Sequence, residues 1–178
     1  EQILSALPPH ERKMREQGIP QLGSGLVFPL PESEIICDPI EIPSHWPRIC
    51  GIDFGWDHPT AATWIAWDRD SDIIYITDTY SMSQEAVPIH ASSIKSRGKW
   101  IPVIWPMDGR QADKGSGKSL TEQYRTEGVN MTKEHFTNPP QNGQKENTGG
   151  ISVEAGIQEM YTRFMTKRLR IFSNQNKL

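Results

Sequence analysis

From Arg48 to the end of the chain, short apolar runs alternate with turn chemistry, a pattern that predicts strands interleaved with amphipathic helices. The first run is Arg48-Ile-Cys-Gly-Ile-Asp-Phe-Gly55. Thr60 to Trp67, a turn at Asp70-Ser71-Asp72 and Ile73 to Thr79 then complete the pattern of a three-stranded meander. Gln84 to Lys95 reads as a helix with Ala86, Ile89 and Ile94 nearly on one face. Trp100 to Trp105 predicts a strand, Ser119 to Glu127 a second helix closed by Gly128, and Val129 to Lys133 a further short strand. Ser152 to Lys167 predicts a third helix, with Ser152 as N-cap and an apolar stripe of Val153, Ile157, Met160, Tyr161 and Phe164. Leu169 to Phe172 supplies a last strand. The order is that of an α/β fold, a mixed sheet with helices packed on it. Trp64, Trp67, Trp100 and Trp105 fall in strands and are assigned to its core.

Two stretches lie outside this pattern. Residues 1–47 are rich in proline and charge, and Pro8, Pro9 and Gly18 confine a helical opening from Glu1 to Gln17. The expected organisation is therefore a lead-in over 1–47 and a folded domain over 48–178. The absence of an initial methionine suggests a piece of a longer polypeptide. Residues 137–150 contain almost nothing that can be buried and are expected to form a mobile loop, a candidate gate over the site.

A chain of 178 residues fits one domain with a real core. With 19 Lys and Arg against 22 Asp and Glu, it is not expected to coat nucleic acid by bulk charge, although a local basic face stays open. Cys37 and Cys50 have no second pair with which to build a zinc site, and read as plain buried thiols of a reducing compartment. No apolar run approaches the roughly 20 residues of a membrane span, and no secretory signal is present, so a soluble intracellular protein is expected.

The candidate chemistry lies in two acidic residues. Asp53 interrupts the first apolar run, where a carboxylate needs a partner or caps the following turn, Trp56-Asp57-His58-Pro59. Asp108 falls just past the apolar run ending at Trp105, where ligands gather at the C-terminal ends of parallel strands; it also suits an Asp-Gly turn. A strand that follows a helix can return beside the first strand and parallel to it, which would make Asp53 and Asp108 neighbours. Two such carboxylates repel unless a cation lies between them, and hard oxygen ligands suit Mg²⁺ or Mn²⁺. Substrate phosphate would complete a two-ion phosphodiester hydrolysis site.

Other residues are weaker candidates. Ala112 to Ser119 fits a relaxed phosphate-loop pattern, but Pro106 to Gln111 separate it from its strand, so a nucleotide-binding domain is only an alternative. Lys114, Lys118 and Ser119 could instead hold a DNA phosphate. Asp57 and His58 are possible additional groups with a competing turn role, Asp78 one with a competing strand-end role, and Asp113 a possible supporting group. Arg168 and Arg170, in a basic run with Arg163 and Lys167, could line a DNA backbone or be a solvated face.

Gly51-Ile-Asp-Phe-Gly55 with His58-Pro-Thr-Ala-Ala62 resembles the first-strand motif of the nuclease domain in large terminases of tailed bacteriophages. Gly18 to Gly25 with Val27-Phe-Pro29 resembles the segment that joins the packaging ATPase to that nuclease, and Asp108-Gly109 with Gly115-Ser-Gly117 and Glu122-Gln-Tyr124 resembles its second acidic motif. The resemblance implies a ribonuclease-H-like mixed sheet of five-stranded type flanked by helices. It further implies an endonuclease that cuts concatemeric viral double-stranded DNA when packaging begins and ends, using Mg²⁺ or Mn²⁺ held by Asp53 and Asp108. The implied partners are double-stranded DNA, a portal protein, a small terminase subunit and an ATPase domain of the same full-length chain, all in the host cytoplasm. The family's third metal ligand is expected after Leu178, since neither Glu154 nor Glu159 sits in the right context. Another ribonuclease-H-like enzyme, of the resolvase or integrase type, is the nearest alternative.

Overall fold

Period-two alternation is clearest in Thr60–Asp68 (β3), where Thr60, Ala62, Trp64 and Ala66 are buried and the residues between them less so. β3 pairs antiparallel with Arg48–Asp53 (β2) on one side and Ile73–Met82 (β4) on the other. This is the expected meander. The computed structural model describes residues 27–111, 117–137 and 154–175 of the chain. Within them Val103–Ile104 (β5) pairs parallel with β2, and Leu169–Phe172 (β6) pairs parallel with β4. Ile36–Cys37 (β1) adds an outer strand parallel to β6, giving a six-stranded sheet in the order β1-β6-β4-β3-β2-β5.

The sheet therefore has one strand more than the five-stranded type expected, and the extra one comes from the lead-in before Arg48. The sequence 36–37 is too short to carry a strand signal of its own. A single turn, Glu32–Ile35 (α1), precedes it, Phe28 packs edge-on against Phe164 at 5.2 Å, and Trp46 stacks on Tyr75 at 5.6 Å. The predicted helix over Glu1 to Gln17 lies outside the described residues.

Val87–Ser96 (α2) begins later than its periodicity predicts. Gln84 has a positive φ of 57°, which no helix interior accepts, and Pro88 fits the first turn. The inward stripe is consequently His90, Ala91 and Ile94, while Ala86 and Ile89 are exposed. β5 is only two residues long because Pro102 and Pro106 flank it without amide N–H groups to pair. Val129 to Lys133 is not a strand; it makes one parallel bridge, Met131 to Val103. A 3-10 turn over Met107–Arg110 leads toward Leu120–Thr126 (α3), and Glu154–Met165 (α4) precedes β6.

Cys50, Ile52, Trp64, Ile94, Val103 and Tyr124 are among the residues of one buried cluster between the sheet and the helices. Burial pushes the Cys50 thiol up to about 12, so it stays protonated and inert, whereas Cys37 is only half-buried. Trp64 and Trp105 join the core, but Trp67 and Trp100 do not. Trp67 sits one residue off the inward set of β3, and Trp100 precedes its strand. In α4, Phe164 is buried, Ile157 and Tyr161 are half-buried and Met160 is exposed; Ser152 and Val153 lie outside the described residues. No helix among the described residues is long and apolar enough to cross a membrane.

Candidate metal centre

Asp53 is the last residue of β2, and its neighbour β5 runs parallel with Gly51 opposite Ile104. Asp53 thus stands two residues beyond that pair and Asp108 four beyond it, both past the C-terminal ends of adjacent strands. The turns that carry them touch. A Cβ on the buried Gly109 would lie 2.7 Å from Phe54 Cε2 and 2.8 Å from Trp105 and from Thr121 Oγ1, so the residue after each carboxylate packs against the other's turn. Thr121 Oγ1 donates to the Gly109 carbonyl at 2.8 Å, which ties the Asp108 turn to α3.

The Asp53 turn is fixed as firmly. Thr60, buried at the start of β3, donates its hydroxyl to the Gly55 carbonyl at 2.9 Å and accepts from the Gly55 N–H at 3.2 Å. Gly55 itself allows the chain to double back, since a Cβ there would meet the His58 carbonyl oxygen at 2.3 Å. These contacts explain Gly55 and Gly109, one glycine in each acidic motif.

Asp53 and Asp108 are exposed, and no hydrogen bond or ion pair engages either side chain among the described residues. By contrast, Asp78 pairs with Arg97 at 2.6 Å, and Asp72 with Arg168 at 2.8 Å. Two hard, unoccupied oxygen donors at one edge suit Mg²⁺, which is usually held by one or two carboxylates with water and substrate phosphate completing its shell. No group of three or more His, Cys, Asp or Glu able to hold a metal occurs among the described residues.

Asp108 also lines a cavity of about 580 Å³ together with Phe54, Trp56, His90, Gln123 and Tyr124. Phe54 and Tyr124 pack at 5.4 Å, and burial pushes the Tyr124 phenol well above its usual range, so it stays neutral. His90 is buried, its Nδ1 2.7 Å from the Tyr80 hydroxyl, and burial lowers its pKa.

A family model described as the terminase RNaseH-like domain matches residues 50–177. The chain belongs to that family. It is 39% identical over 173 residues to the large terminase subunit of Salmonella phage P22, a match over 97% of this chain and 33% of the relative. The chain thus spans about a third of the length of the curated relatives it matches. Its fold superposes on the P22 large terminase nuclease domain with a TM-score of 0.73, at 37% identity over 86% of this chain and 75% of that one. The large terminase nuclease of thermophilic phage G20c, solved with bound cobalt, shares the fold at a TM-score of 0.51 and 16% identity, over 84% of this chain and 75% of that one.

Within this terminase RNaseH-like domain several predicted site residues lie elsewhere. Asp78 is not at a strand end: it is level with Trp64 and Cys50, three residues short of the Asp53 level and two strands away. That is roughly 10 Å along the strands, and its carboxylate is held by Arg97. Arg168 and Arg170 are at the far side of the sheet, where β6 begins opposite Ile74. Arg168 and Arg163 bind Asp72, whose carboxyl is held below its usual range by the Trp67 indole N–H and by those two arginines. Arg170 donates to the carbonyls of Glu34 and Ile36. Both arginines thus fasten the β1–β6 side of the sheet, away from the Asp53 and Asp108 turns.

Ser119 is the N-cap of α3 in a capping box: its Oγ accepts from the Glu122 N–H at 3.3 Å and its own N–H donates to Glu122 Oε2 at 2.8 Å. Glu122, its carboxyl lowered by those Ser119 donors, already occupies the helix end where a phosphate would sit. Ser119 thus serves as the cap of α3, and residues 112–116 of the phosphate-loop pattern lie outside the described residues. Lys118 is exposed just before the cap, and Asp113 and Lys114 lie outside the described residues. Asp57 and His58 are exposed on the β2–β3 turn, where His58 presents its backbone to Gly55. Glu159 is paired with Arg163 at 2.7 Å. Sequence reasoning missed Trp56 and gave His90 no site role; the signal for Trp56 was a large aromatic in a turn otherwise built of polar residues and proline.

Proposed function

We propose that this chain is a metal-dependent endonuclease that cuts concatemeric viral double-stranded DNA at the initiation and termination of genome packaging. The observation that carries the reading is the pair of exposed carboxylates, Asp53 and Asp108, without a partner among the described residues and past the ends of adjacent parallel strands in a terminase RNaseH-like domain. Asp53 and Asp108 would hold Mg²⁺ or Mn²⁺. Bound divalent ions supply activation of the attacking water and neutralisation of charge at the phosphate. The chain's own part is to present both carboxylates on turns fixed by the Phe54–Gly109 contact and the Thr60 clamp, open to a duplex from outside. The cobalt in the G20c nuclease supports a divalent ion as the ligand class.

The working context is a large terminase in the host cytoplasm, with a packaging ATPase in the same full-length chain, and with portal protein and small terminase subunit as partners. Incubation of supercoiled plasmid with the purified chain tests the activity. Nicking and linearisation with Mn²⁺ or Mg²⁺, and none with EDTA, are expected. Cleavage indifferent to EDTA, or none with either metal, contradicts the proposal.

A further inference from the structure

The cavity beside Asp108 has a lining that selects its occupant. Among the described residues its charged lining is Glu85 and Asp108, both acidic. Burial keeps His90 neutral as well. A phosphate entering this space would meet the negative charge of both carboxylates, whereas a flat uncharged group would meet aromatic and aliphatic walls from Phe54, Val87, Leu120 and Tyr124. The amides of Gln111 and Gln123 add donors and acceptors of the kind that read the edge of a base. At about 580 Å³ the volume falls within the ordinary range for a small-ligand pocket.

Trp56 stands on the same wall and is 61% exposed, unusual for the largest apolar side chain. It stacks on no other ring among the described residues. Its backbone is nevertheless pinned: the Gln84 N–H donates to the Trp56 carbonyl at 3.0 Å, and the Thr60 clamp holds Gly55 beside it. An open indole on a pinned backbone, beside a slot with aromatic and aliphatic walls, is a stacking platform.

We propose that this cavity receives one unstacked nucleobase of the DNA strand being cut, with Trp56 as its stacking face. Seating a base there would bring the adjacent phosphate toward Asp108, so the cut strand is held by a base displaced from the helix stack as well as by its backbone. The proposal rests on the nuclease reading above, and the test separates the two.

Duplexes carrying a single bulged 2-aminopurine, and fully paired duplexes of the same length, are titrated with the chain in Ca²⁺. The bulged duplex is expected to bind roughly ten-fold tighter, with quenching of the 2-aminopurine, and Trp56→Ala to abolish both the preference and the quenching. Gln123→Trp, which fills the cavity from α3 and leaves Trp56 itself in place, is expected to do the same. Equal affinity for the two duplexes, or a preference that survives both variants, overturns the base pocket. Metal-dependent plasmid nicking without a bulge preference would leave the nuclease standing and remove the pocket; a bulge preference lost in Trp56→Ala without any nicking would do the reverse.

Discussion

Gly109 has no room for a side chain, because Phe54, Thr121 and Trp105 all crowd the position a Cβ would take. Gly109→Ala is expected to destabilise the fold by about 1–3 kcal/mol, as overpacking of a filled core does, measurable by urea denaturation. His90 gives a pH dependence of definite sign. Burial lowers its folded pKa below the ordinary 6.5, so the unfolded chain takes up a proton that the folded chain refuses. Stability from this residue is complete above pH 6.5 and is lost as pH falls from there toward the lower folded value. Urea unfolding at pH 7.5 and 5.5 is expected to show that loss in the native chain and a smaller one in His90→Gln; equal losses would exclude His90 as its source. Asp53 and Asp108 were legible in the sequence because each is a carboxylate set against an apolar run. The roles of Arg168 and Arg170 were not, since their partners are Asp72 and the backbone of Glu34 and Ile36, 96 to 136 residues away along the chain.

The elements repeat this division between local and distant causes. α3 carries its own start signal, a serine followed three residues later by a glutamate, and the capping box forms as that spacing dictates. Ser119→Ala is expected to cost about 1 kcal/mol of stability in thermal or urea unfolding, with little change in DNA affinity. A large affinity loss at unchanged stability would return Ser119 to the phosphate-binding role. β3 was readable because its alternation is complete over nine residues. α2 was displaced by a backbone feature, the positive φ at Gln84, that side-chain periodicity does not encode. β5 and its bridge to Met131 are short because prolines limit their pairing, which leaves too few residues for a periodic signal.

Across the whole molecule, the meander brings β2 to the sheet interior and the return of the chain after α2 sets β5 beside it, so one edge collects both acidic turns. The opposite side is closed by β1, which reaches the sheet through β6 and the Arg170 contacts to Glu34 and Ile36. Arg170→Ala is expected to raise amide hydrogen exchange at Ile36 and Cys37 while leaving β2 and β3 protected. Unchanged exchange at β1 would show that strand pairing alone holds it. The sequence could not announce β1, since two residues gain strand character only from the edge they join.

The most direct test compares the native chain with Asp53→Asn and Asp108→Asn in plasmid cleavage with Mn²⁺, after circular dichroism has established that all three are folded. Each substitution keeps the shape of the side chain and removes its charge, so loss of cleavage in both, with the fold retained, is the expected result. A folded variant that cuts as fast as the native chain would contradict the assignment of its carboxylate to the metal centre.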